Sequence, residues 1–223
     1  MELPIQKLAN KEFTILLQQK QRLYKDWKKN GIIADDSVLK AFLEVRRELF
    51  VDPTYRDQSY ADHPLPIGSG QTISQPTTVI MMLQLLDVLA GQRVLEIGSG
   101  SGYNAALLAK LVKQTGMVVT VERHKELVEL ARKNLSSAAL EEVVVIEGDG
   151  KQGYKKLATF DRIIITAAAD QVPHNLKDQL AVGGVIVAPI GHTHGCEMLK
   201  LSKTSPDQFQ TSSHGLFSFV PLV

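Results

Sequence analysis

The sequence predicts an α/β fold built on a doubly wound, mostly parallel sheet. From Arg93 onward, short Val/Ile-rich runs alternate with stretches of helical periodicity. The runs are nearly continuous in apolar residues, as in strands covered on both faces, and a glycine-rich turn follows the first of them. Together these point to a Rossmann-like sheet with an N-terminal helical extension. One domain is expected over 1–223: helices and a substrate loop over 1–75, a cofactor-binding core over 76–190, and edge strands over 191–223.

In chain order, Phe13, Leu16, Leu17, Leu23, Tyr24 and Trp27 recur at helical spacing, interrupted by Lys20 and stopped by Asn30-Gly31. Residues 1–30 hold seven basic and three acidic side chains, read as a solvated helix face, with a basic binding face as the alternative. A second helix is expected from a cap at Asp36 or Ser37 towards Phe50. Between Asp52 and Pro76 periodicity gives way to prolines and glycines, the pattern of a long functional loop. A helix then opens at Pro76 and runs to Ala90-Gly91. Strands are expected over Val94–Ile97, Val118–Glu122, Val143–Ile146, Arg162–Thr166 and Val185–Pro189. The intervening helices are Asn104–Val112, Lys125–Leu135 and Pro173–Leu180, with a turn at Val182-Gly183-Gly184. Antiparallel edge strands are expected around Met198–Leu201 and Phe217–Val220.

Composition excludes the disordered and fibrous classes, with 44% hydrophobic and 22% charged residues. A net charge of +1 offers no global attraction to nucleic acid or membrane, and neither is expected as a partner. The one cysteine, Cys196, cannot close an internal disulfide. The first 20 residues lack a basic stretch followed by an apolar run, and no run elsewhere is long enough for a bilayer. An unprocessed, monomeric, cytoplasmic protein is the expectation.

The chemistry gathers at strand ends. Glu96-Ile97-Gly98-Ser99-Gly100-Ser101-Gly102-Tyr103 follows a strand and opens a helix, where Gly98, Gly100 and Gly102 let backbone approach a nucleotide-like ligand. Glu122, 24 positions after Gly98, can accept from both ribose hydroxyls. The glycines run G-x-G-x-G behind an acid, not G-x-G-x-x-G, and an acid at that strand end suits an ammonium-bearing ligand while repelling a pyrophosphate. That favours S-adenosyl-L-methionine over a nicotinamide dinucleotide. Gly148-Asp149-Gly150 ends the next strand, where a carboxylate can accept from an adenine amino group; a turn-stabilising Asp is the plainer alternative.

Leu65-Pro66-Ile67-Gly68-Ser69-Gly70-Gln71-Thr72-Ile73-Ser74-Gln75-Pro76, followed by the Glu96–Tyr103 run, resembles the protein-L-isoaspartate O-methyltransferase family. The similarity continues through Gly148-Asp149-Gly150, the Ile164–Ala169 strand end, Gln179-Leu180 with Gly183-Gly184, and Phe219-Val220-Pro221-Leu222, covering about Leu39 to Val223. The resemblance implies methyl transfer from S-adenosyl-L-methionine to the free carboxylate of L-isoaspartyl residues in damaged polypeptides. It makes Ser74 the catalytic residue, and gives the cofactor to Gln71, Thr72, Ile73, Ser101, Glu122, Arg123, Gly148 and Asp149. Pro66, Ile67 and Val220 fall to the substrate cleft. Without the resemblance, Ser74 reads as an N-cap for the helix at Pro76, and the two roles are compatible.

Three departures stand out. Thr77-Thr78 replaces the aromatic or histidine that relatives often carry after Ser-x-Pro, the chain ends at Val223 just after Pro221-Leu222, and the first helix is long. A weaker or differently built closure over the cofactor is expected. His192, His194 and Cys196 lack a fourth ligand, so no metal is expected. Other readings remain open: a methyltransferase of RNA or small molecules, or a non-catalytic cofactor-binding module. A nicotinamide oxidoreductase ranks last.

Overall fold

The structure, a computed structural model, describes residues 4–192 and 195–222, with side chains from Phe13 onward. Helix α1 (Pro4–Lys29) packs Leu16, Leu23 and Trp27 inward, while Phe13 and Leu17 of the expected apolar face stay about half exposed. Lys20, which interrupts that face, is itself buried: its Nζ donates to the carbonyls of Leu43 and Val45, both at 2.9 Å. Those carbonyls close α2 (Asp36–Glu44), which therefore ends well short of Phe50 and passes into a 3-10 turn at Arg47–Leu49. The cap of α2 is Asp35, not Asp36 or Ser37, with its carboxylate accepting from the Ser37 and Val38 N–H groups.

The presumed loop before Pro76 holds a 3-10 turn (Pro53–Gln58) and a hairpin, β1 (Leu65–Gly68) with β2 (Gln71–Ile73). Strands this short carry too little alternation to stand out among prolines. Helix α3 (Pro76–Leu86) starts as expected but stops before Ala90-Gly91, because Asp87 turns left-handed (φ 53°) and its N–H closes on the Leu83 carbonyl.

The main sheet comprises β3 (Arg93–Ile97), β4 (Met117–Glu122), β5 (Val144–Glu147), β6 (Phe160–Ile165), β7 (Leu180–Ile190), β8 (Cys196–Ser205) and β9 (Gln208–Phe217), in the order β5-β4-β3-β6-β7-β8-β9. Strands β3 to β7 pair in parallel, while β8 and β9 add antiparallel at one edge. The turn expected at Val182-Gly183-Gly184 lies inside β7, as a break in register between the Leu180 and Val185 pairings. Residues 218–220, expected in the last strand, lie beyond β9, and the tail returns to the sheet's centre: Ala168 N–H donates to the Val220 carbonyl and Leu222 N–H to the Ala168 carbonyl.

Helices α4 (Tyr103–Val112) and α5 (Lys125–Ser137) link β3 to β4 and β4 to β5, and α6 (His174–Gln179) precedes β7. The sheet is buried on both faces, against α1–α5 on one side and around Phe160, Leu176 and Ile186 on the other. The chain leaves β3 in one direction through β4 and β5 and resumes in the other through β6. Such a reversal opens a crevice at the carboxyl ends of β3 and β6.

Candidate active site

The glycine turn after β3 makes the floor of that crevice. Gly98 adopts φ +95°, and a Cβ there would lie 2.5 Å from Thr166 Oγ1, so only glycine fits. The Thr166 hydroxyl lies 2.8 Å from the Gly98 carbonyl, tying the ends of β3 and β6 together. Asn134 of α5 donates to the Ser101 carbonyl at 3.0 Å and holds the turn from the other side.

Glu122 is nearly buried at the end of β4, and one of its oxygens accepts from the N–H groups of Arg123 and His124, each at 2.9 Å. The other accepts from Gly100 N–H at 3.0 Å. A carboxylate anchored this way keeps spare lone pairs for hydroxyl donors. It stands between two lobes of the crevice. One is lined by Gln71, Thr72, Ile73, Ser74, Gly98, Gly100, Ser101 and Val220, the other by Gln71, Arg123, His124, Gly150, Pro221 and Leu222.

The hairpin β1–β2 brings the Gln71–Ser74 segment to this crevice, opposite the glycine turn. Ser74 does not cap α3: the cap position is Gln75, without a side-chain bond. The acceptor for the Thr77 N–H comes from Asp62 at 3.0 Å, whose second oxygen takes the Thr77 hydroxyl at 2.7 Å. Trp27 Nε1 donates in turn to that hydroxyl at 2.6 Å, so the departure at Thr77 is a link between α1 and the Ser74 segment.

Glu96 lies behind the crevice, fully buried. It accepts from Asn104 Nδ2 at 2.8 Å and from the Thr120 hydroxyl at 2.6 Å. Burial pushes its carboxyl up to about 7, against the pull of those two donors. Of Glu96, Asn104 and Thr120 it is Asn104 that lines the crevice, and its buried Oδ1 has no partner. Ile67 touches the site, its Cδ1 3.2 Å from where a Gly100 Cβ would be, whereas Pro66 pairs with Thr72 in the hairpin and lines neither lobe. Gly102 stands at the N-cap of α4. Gly148 and Asp149 also lie off both linings, and Asp149 Oδ1 accepts from Lys151 N–H in a 3-10 turn. The turn alternative thus accounts for that oxygen.

Sequence reasoning passed over Tyr103, Asn104, His124 and Thr166, all of which line the crevice. The signal for Asn104 was present in its position one residue into the helix opened by the glycine turn. Of the His192, His194 and Cys196 set, His194 lies outside the described residues, and the buried Cys196 thiol donates to the His192 carbonyl.

A family model for protein-L-isoaspartate(D-aspartate) O-methyltransferase matches residues 18–223. The protein-L-isoaspartate O-methyltransferase of Methanopyrus kandleri is 44% identical over 210 residues, 94% of this chain and 93% of the relative. That of Staphylothermus marinus is 46% identical over 212 residues, covering 92% of this chain and 94% of the relative. A solved structure from Plasmodium falciparum, assigned as a protein-L-isoaspartate O-methyltransferase and in complex with S-adenosyl-L-homocysteine, superposes with a TM-score of 0.81 at 28% identity. It covers 91% of this chain and 97% of that one.

Proposed function

Because the chain belongs to the protein-L-isoaspartate(D-aspartate) O-methyltransferase family, we propose that it methylates the free carboxylate of L-isoaspartyl residues in damaged polypeptides, with Ser74 positioning that carboxylate. One observation carries the reading: the Gln71–Ser74 segment and the glycine turn with Glu122 line a single crevice.

The residues fit S-adenosyl-L-methionine. Asn104 Oδ1 is a buried acceptor without a donor, suited to the ligand's ammonium, and the Glu122 carboxylate is placed for its ribose hydroxyls. Arg123 would flank the adenine side, with His124, Gly150 and Leu222, and Gly148 and Asp149, which lie off that lining, would reach the ring only from the adjoining turn. When bound, the cofactor supplies an electrophilic methyl group on a sulfonium. Ser74 can donate its hydroxyl to an incoming carboxylate. With an ordinary α-carboxyl pKa of about 3.5, that carboxylate is ionised at neutral pH and needs no general base. Alignment and exclusion of water remain as the protein's tasks. Ile67 and Val220, and Pro66 on the hairpin's outer side, would contact the substrate chain.

We further propose that 1–223 acts as one domain, monomeric and cytoplasmic, with no nucleic-acid or membrane partner. The near-neutral charge and the lone, buried cysteine support this. Among the described residues no helix is long and apolar enough to cross a membrane.

The test is transfer of a tritiated methyl group to paired peptides that differ only in carrying isoaspartyl or normal aspartyl at one position. Labelling of the first alone is expected; equal labelling of both would refute the specificity, and labelling of neither the activity.

A further inference from the structure

Arg47 is fully buried in the 3-10 turn after α2, directly behind the Ser74 segment. Its Nε donates to the Ser59 carbonyl at 2.7 Å and its Nη2 to the Ser74 carbonyl at 2.8 Å. Nη1 is buried with no hydrogen-bond partner. The guanidinium carbon lies 4.8 Å from the ring centroid of Tyr103, which lines the crevice, and the Tyr103 hydroxyl is close enough for each group to perturb the other's titration.

No carboxylate is paired with this cation among the described residues. Glu48, the acid next to it, is bound by Arg46 at 2.9 Å and by the Tyr60 hydroxyl at 2.6 Å. Asp62 lies within its field and favours the charged guanidinium, but its oxygens are held by the Thr77 N–H and hydroxyl and form no ion pair with Arg47. A buried charge held by two carbonyls, the Tyr103 ring and the field of Asp62 is still costly, and a further anion nearby would offset more of that cost. An anion entering the crevice beside Ser74 would do so, in surroundings where water screens little. Arginine also suits the place geometrically, since its rigid fork holds two carbonyls and leaves a third nitrogen free.

We propose that Arg47 is the positioning and charge-selecting residue of the acceptor site: through Nη2 it fixes the Ser74 backbone, and its charge, which has no ion-pair partner, selects an ionised carboxylate over a neutral group. The inference rests on the isoaspartyl reading above and names how that site recognises its substrate.

The test compares binding of two peptides to the enzyme saturated with S-adenosyl-L-homocysteine. One carries isoaspartate, and the other isoasparagine, whose free carboxylate is replaced by an uncharged amide. Wild type should favour the carboxylate peptide; equal affinity would overturn the inference without any variant. In Arg47→Met that preference should fall about 30-fold or more, the scale expected for removing one partner of a desolvated charge pair. Affinity for S-adenosyl-L-homocysteine should be retained, and KM for the isoaspartyl peptide should rise more than kcat falls. Arg47→Lys should keep the preference, and Arg47→Gln, which retains a carbonyl donor, provides the neutral variant if Arg47→Met does not fold. Equal weakening of both peptides in the neutral variants would make Arg47 merely structural, and an unchanged preference would also overturn the proposal. If wild type methylates the isoaspartyl peptide while the Arg47 prediction fails, only this inference falls; if wild type does not, the functional reading falls first.

Discussion

At the scale of single residues, two side chains separate chemistry from scaffolding. Ser74 Oγ has no capping duty to lose, so Ser74→Ala should leave S-adenosyl-L-homocysteine affinity unchanged while lowering kcat. The loss should be about tenfold to a hundredfold, the worth of a hydrogen bond to a charged group. Calorimetry and initial rates measure the two parts. Glu96 offers a pH signature. Its carboxyl is raised from 4.5 to about 7 in the folded protein, so the group favours folding most below its unfolded value and loses that contribution as pH rises through about 7. Replacing it with Gln should therefore stabilise the ligand-free protein at pH 8, by up to roughly 3 kcal/mol, and leave it little changed near pH 5. In the proposed site bound cofactor would have the opposite preference, because an ammonium near Asn104 would favour ionised Glu96. Wild-type affinity for S-adenosyl-L-homocysteine should rise between pH 6 and 8, and Glu96→Gln should flatten that rise.

At the scale of elements, the first helix is part of the site's framework. Trp27 is buried, packs edge-on against Phe42 with centroids 4.6 Å apart, and donates to Thr77 at the start of α3. Trp27→Phe removes that hydrogen bond and leaves a void where the five-membered ring packed. It should cost about 1–2 kcal/mol and lower Tm by about 2–8 °C in a thermal melt. Gly98→Ala should be more damaging, since it forces a Cβ against the Thr166 hydroxyl from a left-handed backbone; the melt should show a larger drop, together with loss of cofactor binding. The elements legible in the sequence were those whose cause is local. The parallel strands showed as Val/Ile runs, and Pro76 marked the start of α3. Those missed were decided at a distance: α2 ends where Lys20 from another helix takes its carbonyls, and β1 and β2 stand only because they pair with each other.

For the whole molecule, the reversal of strand order between β3 and β6 sets the crevice around which the proposed site is arranged. The residues readable beforehand were those required by backbone geometry or strand-end position, such as Gly98, Gly100 and Glu122. The Gln71–Ser74 segment was readable through family resemblance. Arg47 and Asn104 were not, because their significance lies in unpaired nitrogen and oxygen atoms that appear only once the surrounding chain is packed. The C-terminal tail belongs to the same assembly, for Val220, Pro221 and Leu222 line the crevice after the chain has left β9. The most direct check of the account is a crystal structure with S-adenosyl-L-homocysteine and an isoaspartyl peptide bound together. The ribose should rest on Glu122 and the peptide's free carboxylate beside Ser74, facing the sulfur. A vacant crevice, or a carboxylate bound away from Ser74, would contradict it.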